Sequence, residues 1–182
     1  MAIHNNGIEL HEMSDVPGNW IDTAGSMFIY GQTGSGKTDF AKDSACLYSL
    51  AGYSVLLTTA ACLERDYRDS RLNKWDTLRS HEVIDLLIID DFDALQRDKD
   101  WKAQLSILAE RSGKRSTMIL SSIPIEEIYS RLKNVSDDAV GIMVPFYLNA
   151  YRLARPTTNI GVPSWYERFE QQARELEDKA KA

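Results

Sequence analysis

The sequence has few residues that could cross-link the chain or carry it through a membrane. Its 182 residues include two cysteines, Cys46 and Cys62, which are too few for a disulfide framework or a zinc cluster. We expect both to be small buried apolar residues. The longest aliphatic run, Leu86 to Ile89, is far shorter than the roughly 20 apolar residues that a membrane-spanning helix needs. The sequence therefore predicts a protein without structural disulfides and without contact with a membrane.

Signals for export and for metal binding by histidine are also lacking. The first residues contain no basic segment followed by an apolar one, so we expect a cytoplasmic protein. His4, His11 and His81 are isolated, and no metal-ligand spacing connects them. Apolar residues make up 43% of the chain and charged residues 26%, which is the balance of a globular domain and excludes the disordered and fibrous classes.

The formal net charge of −6 excludes a protein that binds nucleic acid through its overall charge. The second half nevertheless contains a basic strip. Its members are Arg97, Lys99, Lys102, Arg111, Lys114 and Arg115. This strip could follow a phosphate backbone, with Trp101 available for base stacking. Because Trp101 is spaced with Leu105 and Leu108 as on one face of a helix, we favour a core position for the tryptophan.

Short apolar segments alternate with helical patterns along the chain. Strands are predicted at 27–30, 53–59, 86–90, 116–122 and 141–148. Pro145 would place the last of these at a sheet edge or a bulge. Helices are predicted at 37–51, 101–112 and 124–132, and in the tail beyond Pro163. This alternation predicts a three-layer α/β fold with a mostly parallel, five-stranded sheet.

Residues 31–38 match the phosphate-loop pattern GxxxxGK[ST] at every fixed position. The eight candidate binding residues are Gly31, Gln32, Thr33, Gly34, Ser35, Gly36, Lys37 and Thr38. Small residues let the backbone wrap around phosphates, and its N–H groups donate to their oxygens. Lys37 would reach the β- and γ-phosphates, and the Thr38 hydroxyl would bind Mg²⁺. Because a buried strand precedes the loop and an amphipathic helix follows it, we favour nucleotide binding over a chance glycine-rich turn.

Two carboxylates, Asp90 and Asp91, end the aliphatic strand at 86–90. A phosphate loop needs an acidic residue at the tip of a neighbouring strand to hold the Mg²⁺ shell, and Asp90 is placed for that role. Asp91 would face the γ-phosphate and polarise the attacking water. The alternative, acids in an ordinary loop at a strand end, is weakened by the presence of the phosphate loop in the same chain. A residue that activates water also argues against a small-molecule kinase.

The segment LLIIDDFDAL (86–95), a tryptophan-containing helix, Glu110-Arg111 and the segment ILSSIPIEEI (119–128) together resemble a known family. They are similar to AAA+ ATPases of the bacterial helicase-loader group, which includes DnaC-like proteins and the transposon ATPase IstB, and more loosely to the initiator DnaA. The resemblance covers about residues 26–155. It implies a P-loop core of the AAA+ type that binds ATP and Mg²⁺ and hydrolyses the nucleotide.

The resemblance also implies three further site residues. Ser122 ends the fourth strand, where the family places a polar sensor for the γ-phosphate, often asparagine in a Ser-Asn pair. Arg152 lies where the loaders have a late Ser-Tyr-Arg, which suggests a second sensor acting in cis. Arg131 is the nearest candidate for an arginine finger acting on a neighbouring subunit, although a solvated helix end is an equal alternative, and residues 134–151 contain no arginine.

The chain departs from the loaders in its length. We expect an irregular leader over 1–25, the ATPase core over 26–155, and a linker with an amphipathic helix over 156–182. This leaves little room for the separate N-terminal domain with which loaders usually grip a helicase. The helical lid of many AAA+ proteins is expected to be absent or much reduced.

Three functions remain open at this stage. The favoured one is a DNA-replication factor whose ATP-switched assembly acts on a replicative helicase, on single-stranded DNA or on both, with an ATP-dependent homo-oligomer. The second is a transposition-type ATPase that works on duplex DNA with a transposase. The third is a nucleotide-gated adaptor with negligible hydrolysis, and a nucleotide kinase ranks below all three.

Overall fold

The computed structural model describes residues 11–12, 20–73, 83–95, 98–132, 135 and 138–153. Within these residues, no helix is long and apolar enough to cross a membrane. Six parallel strands form one sheet in the order β1-β6-β2-β5-β4-β3. The strands are β1 His11–Glu12, β2 Ser26–Tyr30, β3 Val55–Thr59, β4 Leu86–Asp90, β5 Ser116–Ser121 and β6 Ala150–Arg152.

Among the described residues, five α-helices and one 3-10 turn accompany the strands. The helices are α1 Lys37–Leu50, α2 Ala60–Asn73, α3 Asp98–Arg111, α4 Ile125–Leu132 and α5 Ala139–Leu148, and the 3-10 turn is Phe92–Ala94. Because all the strand pairs are parallel, the connecting helices cover the faces of the sheet and the strands are apolar on both sides. The three-layer α/β fold predicted from the sequence is confirmed.

Strand β4 shows how the two faces are packed. Its alternate residues Leu87 and Ile89 join the core formed with α2, α3, α4 and α5, whereas Leu86 and Ile88 join the core formed with α1. All four side chains are fully buried. Trp101, Leu105 and Leu108 of α3 lie in the first of these cores. The core position of Trp101 is therefore confirmed, and this tryptophan is not available for base stacking.

Residues 141–148 form helix α5, so the strand predicted there is wrong. The last strand of the chain is instead β6, which begins two residues later and lies between β1 and β2. The buried residues Ala139, Met143 and Phe146 recur at helical spacing and pack into the larger core. Pro145 lies inside the helix and leaves the carbonyl of Gly141 without its usual donor. Gly141 is exposed, so that carbonyl can accept from water instead.

Other expectations also need correction. Strand β1 adds a sixth, two-residue strand at the edge of the expected five, within a segment that we expected to be irregular. Cys46 is exposed and Cys62 is half-buried, so neither is the buried apolar residue that we expected. Both results have a simple cause, since two residues are too few to give a strand pattern and a lone cysteine carries no periodic signal.

The basic strip is not continuous, because Arg111 is buried at the end of α3 with 2% of its surface exposed. Its guanidinium donates to the backbone oxygens of Ile84, Asp85 and Ser116 and to the hydroxyl of Thr117. Arg115 is paired with Asp85 at 3.2 Å. Lys102 and Lys114 are exposed, whereas Arg97 and the side chain of Lys99 lie outside the described residues.

Candidate nucleotide-binding site

The phosphate loop lies at the centre of the sheet, where the carboxyl ends of several strands meet. It follows β2, which is flanked by β5 on one side and β6 on the other. Parallel strands end at the same edge, so the loop faces Ser122 after β5 and the acidic pair at the end of β4. Ligands of open α/β sheets bind outside this edge.

The glycines of the loop allow a backbone path that side chains would block. Gly34 and Gly36 have φ angles of 78° and 92°, which L-residues with a side chain rarely adopt. A Cβ on Gly31 would lie 2.4 Å from the Ser35 hydroxyl and 2.8 Å from the Leu153 carbonyl oxygen. The amide of Ser35 donates to the Gln32 carbonyl at 3.0 Å, which closes the turn. The loop is therefore folded tightly and opens toward the start of α1.

The Lys37 side chain is held inside the loop. It is 7% exposed, and its ammonium donates to the backbone oxygens of Gly31 at 2.7 Å and Gln32 at 3.1 Å. Without such partners, a buried ammonium would be strongly unfavourable. Phosphate oxygens are stronger acceptors than these carbonyls because they carry formal charge. The Lys37 ammonium thus lies beside the position where it could donate hydrogen bonds to a phosphate.

A side-chain hydrogen bond joins the loop to β4. The Thr38 hydroxyl donates to Oδ2 of Asp90 at 2.7 Å, and the other carboxylate oxygen, Oδ1, accepts from the amide of Asp91 at 2.9 Å. Asp90 is 5% exposed. A hydroxyl oxygen and a carboxylate are ligands that Mg²⁺ prefers. Residues 52 positions apart therefore form the pair that the phosphate-loop mechanism requires.

Asp91 directly follows β4 and has a left-handed backbone conformation, with φ 52° and ψ 43°. The residue is exposed. This unusual backbone turns the chain away from the strand and places Asp91 on the cleft wall. Partial desolvation of the carboxyl, together with the negative charges of Asp90 and Asp93, raises its pKa above the ordinary value, and the charge of Lys37 opposes that rise. Perturbed carboxyls in clefts are candidates for function.

These residues line a cleft of about 280 Å³. The lining residues are Thr33, Gly34, Gly36, Lys37, Thr38, Asp39, Asp91 and Ser122. The site fits a nucleotide phosphate with its magnesium, because an ammonium and a helix N-terminus complement the phosphate and oxygen donors complement the ion. The buried hydroxyl oxygen of Ser35 has no hydrogen-bond partner among the described residues, which leaves one further polar group in the loop.

Six of the predicted site residues do not line this cleft: Gly31, Gln32 and Ser35 of the loop, Asp90 of β4, and two arginines. Arg131 lies exposed at the end of α4, where it pairs with Glu127 at 2.7 Å. Arg152 is exposed on β6, in register with Tyr30, the residue before the phosphate loop. The sequence reasoning missed Asp39, which contributes to the lining. It also missed Asp93, whose only signal was a third acid close behind the acidic pair.

The family profile of the "IstB-like ATP binding protein" matches residues 6–140, which is more than half of the chain. The chain belongs to this family. A relative, described as an ATP-binding protein of insertion sequence IS1162 from Pseudomonas fluorescens, is 31% identical over 112 residues. This match covers 59% of the chain and 48% of the relative, so the IstB-like chain spans about half the length of the curated relative that it matches.

Solved structures support the same fold at lower identity. The DnaC helicase loader superposes with a TM-score of 0.59 at 15% identity, over 79% of this chain and 84% of DnaC. DnaA from Aquifex aeolicus, bound to AMPPCP, gives a TM-score of 0.58 at 16% identity, over 94% of this chain and 64% of DnaA. The AAA+ P-loop fold predicted from the sequence is therefore confirmed for this IstB-like domain.

Proposed function

We propose that this domain binds ATP with Mg²⁺ in the cleft and hydrolyses it to ADP and phosphate. One observation carries the proposal: Lys37, Thr38, Asp90 and Asp91 come from two distant segments and meet at one edge of the sheet. A buried lysine at a helix N-terminus and two consecutive carboxylates at the end of β4 have no evident purpose in the fold alone. They match the needs of a nucleotide phosphate.

Each residue has a defined task in this proposal. The ammonium of Lys37 exchanges its two carbonyl partners for oxygens of the β- and γ-phosphates. Thr38 and Asp90 would hold Mg²⁺, which supplies positive charge that stabilises the transferring phosphoryl group. Asp91 accepts a hydrogen bond from the attacking water and orients it, and the raised pKa suits a group that shares a proton. Ser122 supplies a polar contact on the opposite wall.

We also propose roles for the two arginines outside the cleft. Arg152 contacts the nucleotide of its own subunit as a second sensor, supported by its place beside the residue that leads into the loop. Arg131 acts in trans on a neighbouring subunit, supported by its exposure and by the ATP-dependent oligomer that we infer. Its partner Glu127 would release it, because an exposed pair of this kind is worth only ~0.5 kcal/mol.

The output of nucleotide binding is proposed to be assembly on a partner. The fold shared with the DnaC helicase loader supports a replicative helicase as the partner. The fold shared with the initiator DnaA, bound to AMPPCP and single-stranded DNA, supports a weak contact with single-stranded DNA. The exposed lysines Lys102 and Lys114 are the described cations of the strip that remain for DNA contact. The division into leader, core and C-terminal helix at 1–25, 26–155 and 156–182 is proposed on the same resemblance.

A second candidate is the transposition-type ATPase that works on duplex DNA with a transposase. The match to an ATP-binding protein of an insertion sequence supports an origin of this kind without favouring it over a helicase loader. A pull-down with and without a non-hydrolysable ATP analogue separates the two candidates. Recovery of a hexameric helicase supports loading, whereas recovery of a transposase supports the alternative.

The ATPase activity itself is tested with two site variants and a control. Lys37→Ala should lose nucleotide binding, and Asp91→Asn should bind ATP but not turn it over. Glu126→Ala changes an exposed residue of α4 outside the cleft and should behave as wild type. Turnover that survives in Asp91→Asn would overturn the assigned role, and phosphate transfer to an acceptor nucleotide would indicate a kinase. Binding without any turnover, with DNA and partner present, would favour the nucleotide-gated adaptor.

A further inference from the structure

Asp93 joins the acidic end of β4 to the end of β5. Its Oδ1 accepts two hydrogen bonds, one from the hydroxyl of Ser121 at 3.0 Å and one from the backbone amide of Ser122 at 2.8 Å. Asp93 does not line the cleft, whereas Asp91 and Ser122 do. The Asp93 carboxylate therefore lies behind the cleft wall and links its two sides, the end of β4 and the end of β5.

The turn that carries Asp93 is rigidly anchored. Asp91 begins the 3-10 turn, and its carbonyl accepts from the amide of Ala94 at 3.0 Å. Phe92 is fully buried and packs edge-on against Trp101, with ring centroids 5.3 Å apart. Side chains locked by packing hold their neighbours within the narrow tolerance that catalytic geometry needs. The position of the Asp93 carboxylate is therefore set by the core and not by solvent.

The receiving end is tied to the phosphate loop. The carbonyl of Ser121 accepts from the amide of Gly31, the first residue of the loop, at 3.2 Å. Ser121 is fully buried, and its hydroxyl also lies 2.9 Å from the carbonyl oxygen of Ile123. Asp93 thus connects, through Ser121 and Ser122, the three segments that form the cleft.

We propose that Asp93 is a positioning residue that fixes Ser122 at a set distance from Asp91 across the nucleotide cleft. This inference rests on the proposed function, because the distance matters only if a phosphate lies between the two residues. A backbone amide held by a carboxylate is a charge-assisted hydrogen bond, which is shorter and stronger than a neutral one. This hydrogen bond compensates for the short side chain of Ser122. A hydroxyl on a single carbon contacts a phosphate only if the backbone that carries it is held in place.

The test compares Asp93→Ala with Asp93→Asn in the full chain. Asparagine keeps an acceptor oxygen of nearly the same shape, so it retains the Ser122 contact and removes only the charge. We expect Asp93→Ala to lower kcat about 10- to 100-fold, as small misplacements in active sites do, with the nucleotide KM within about threefold. Asp93→Asn should recover most of that loss. Glu126→Ala, an exposed change in the first turn of α4, is the matched control.

A double-mutant cycle with Ser122→Ala shows whether Asp93 acts through Ser122. If it does, the losses of Asp93→Ala and Ser122→Ala do not multiply, because Asp93→Ala misplaces the same Ser122 hydroxyl that Ser122→Ala removes. Losses that multiply, or equal losses in Asp93→Ala and Asp93→Asn, would overturn the proposal. Folding of each variant is checked by thermal unfolding, and the hydroxyl of Ser121 keeps the Ile123 carbonyl as an acceptor when Asp93 is removed.

A second measurement does not depend on turnover. Amide hydrogen exchange at Ser122 should be at least tenfold faster in Asp93→Ala than in wild type and close to wild type in Asp93→Asn. Unchanged exchange in Asp93→Ala would overturn the proposal. The proposed function would be contradicted by a different result, namely that the wild-type chain shows no ATP hydrolysis that is lost in Lys37→Ala. In that case the hydrogen-exchange measurement would still decide whether Asp93 holds Ser122.

Discussion

Thr38 and Asp90 are joined by a 2.7 Å hydrogen bond between the phosphate loop and β4. Thr38 and Asp90 are the residues that would hold a magnesium ion, so this bond keeps the two candidate ligands next to each other. Binding of Mg²⁺ with ATP would exchange this hydrogen bond for contacts of both side chains with the ion and its water shell.

The exchange predicts a clear difference between two substitutions at position 38. Thr38→Ser keeps the hydroxyl and should retain turnover within a few-fold. Thr38→Ala removes it and should lower Mg²⁺-dependent turnover by at least tenfold, since one oxygen ligand is lost. Nucleotide binding in the presence of EDTA should change little in either variant, and isothermal titration with and without Mg²⁺ measures the difference. A Thr38→Ala variant with normal dependence on Mg²⁺ contradicts the assignment.

Replacement of Asp91 by asparagine should have opposite effects on activity and on stability. Turnover should fall by about 100-fold or more, the range found when a group that handles a proton is removed. The melting temperature of the nucleotide-free protein should rise, because the charged form of Asp91 is disfavoured by partial desolvation and by Asp90 and Asp93. Thermal unfolding of both proteins at neutral pH gives the comparison. A lower melting temperature for Asp91→Asn would show that the charge of Asp91 does not destabilise the folded protein.

The same pKa shift predicts the pH dependence of that difference. A carboxyl with a raised folded-state pKa binds its proton more tightly when folded, so the ionised group destabilises the fold at every pH above the folded pKa. The penalty shrinks as the pH falls through that value and vanishes below the unfolded pKa. The stability gap between Asp91→Asn and wild type should therefore close on acidification, which unfolding curves from neutral pH downward will reveal.

Two glycines of the loop should respond differently to alanine. At Gly31 a Cβ would meet the Ser35 hydroxyl and the Leu153 carbonyl, so Gly31→Ala should distort the loop and weaken ATP binding more than tenfold. A Cβ on Gly36 would meet no atom within 4 Å beyond its chain neighbours. Gly36→Ala should therefore lower the free energy of unfolding only by the strain of a positive φ, about 1 kcal/mol. Nucleotide titration and thermal unfolding distinguish a steric effect at position 31 from backbone strain at position 36.

Arg111 should prove structural and not DNA-binding. Arg111→Met removes the guanidinium donor from the carbonyl oxygens of Ile84, Asp85 and the buried Ser116, which should lower the free energy of unfolding by about 3 kcal/mol. Arg115→Met, on the exposed surface, should change it by less than about 1 kcal/mol. Urea unfolding checks both values. If Arg111→Met folds normally but loses DNA affinity, the prediction is wrong and Arg111 belongs to a DNA-binding basic strip.

The position of the phosphate loop and the acidic pair at one edge of the sheet was predictable because the motif is local. Eight consecutive residues, with a strand before and a helix after, contain the turn geometry, the cation and the helix terminus that phosphate chemistry needs. The end of β4 was equally clear, since four aliphatic residues that lead into two carboxylates describe a buried strand whose tip reaches the sheet edge. Trp101 was placed correctly for a similar reason, because helical spacing with Leu105 is a local pattern.

Helix α5 shows where a local pattern fails. An uncharged apolar run fits a buried strand and a buried helix alike, and the proline suggested an edge strand. Only the packing of Met143 and Phe146 into the larger core selects the helix. The prediction for Arg111 failed for a different reason. A lone arginine in a sequence suggests a surface position, and its carbonyl partners lie in two separate segments, 84–85 and 116.

The sequence by itself determined the strand–helix alternation, the phosphate loop and the acids that complete it, because these depend on neighbours within a few residues. The tertiary structure alone decided which distant groups share a hydrogen bond: Thr38 with Asp90, Asp93 with Ser122, and Arg111 with the starts of two strands. Such contacts depend on sheet order, and sheet order is set by the burial of whole strands and helices. No short segment contains that information.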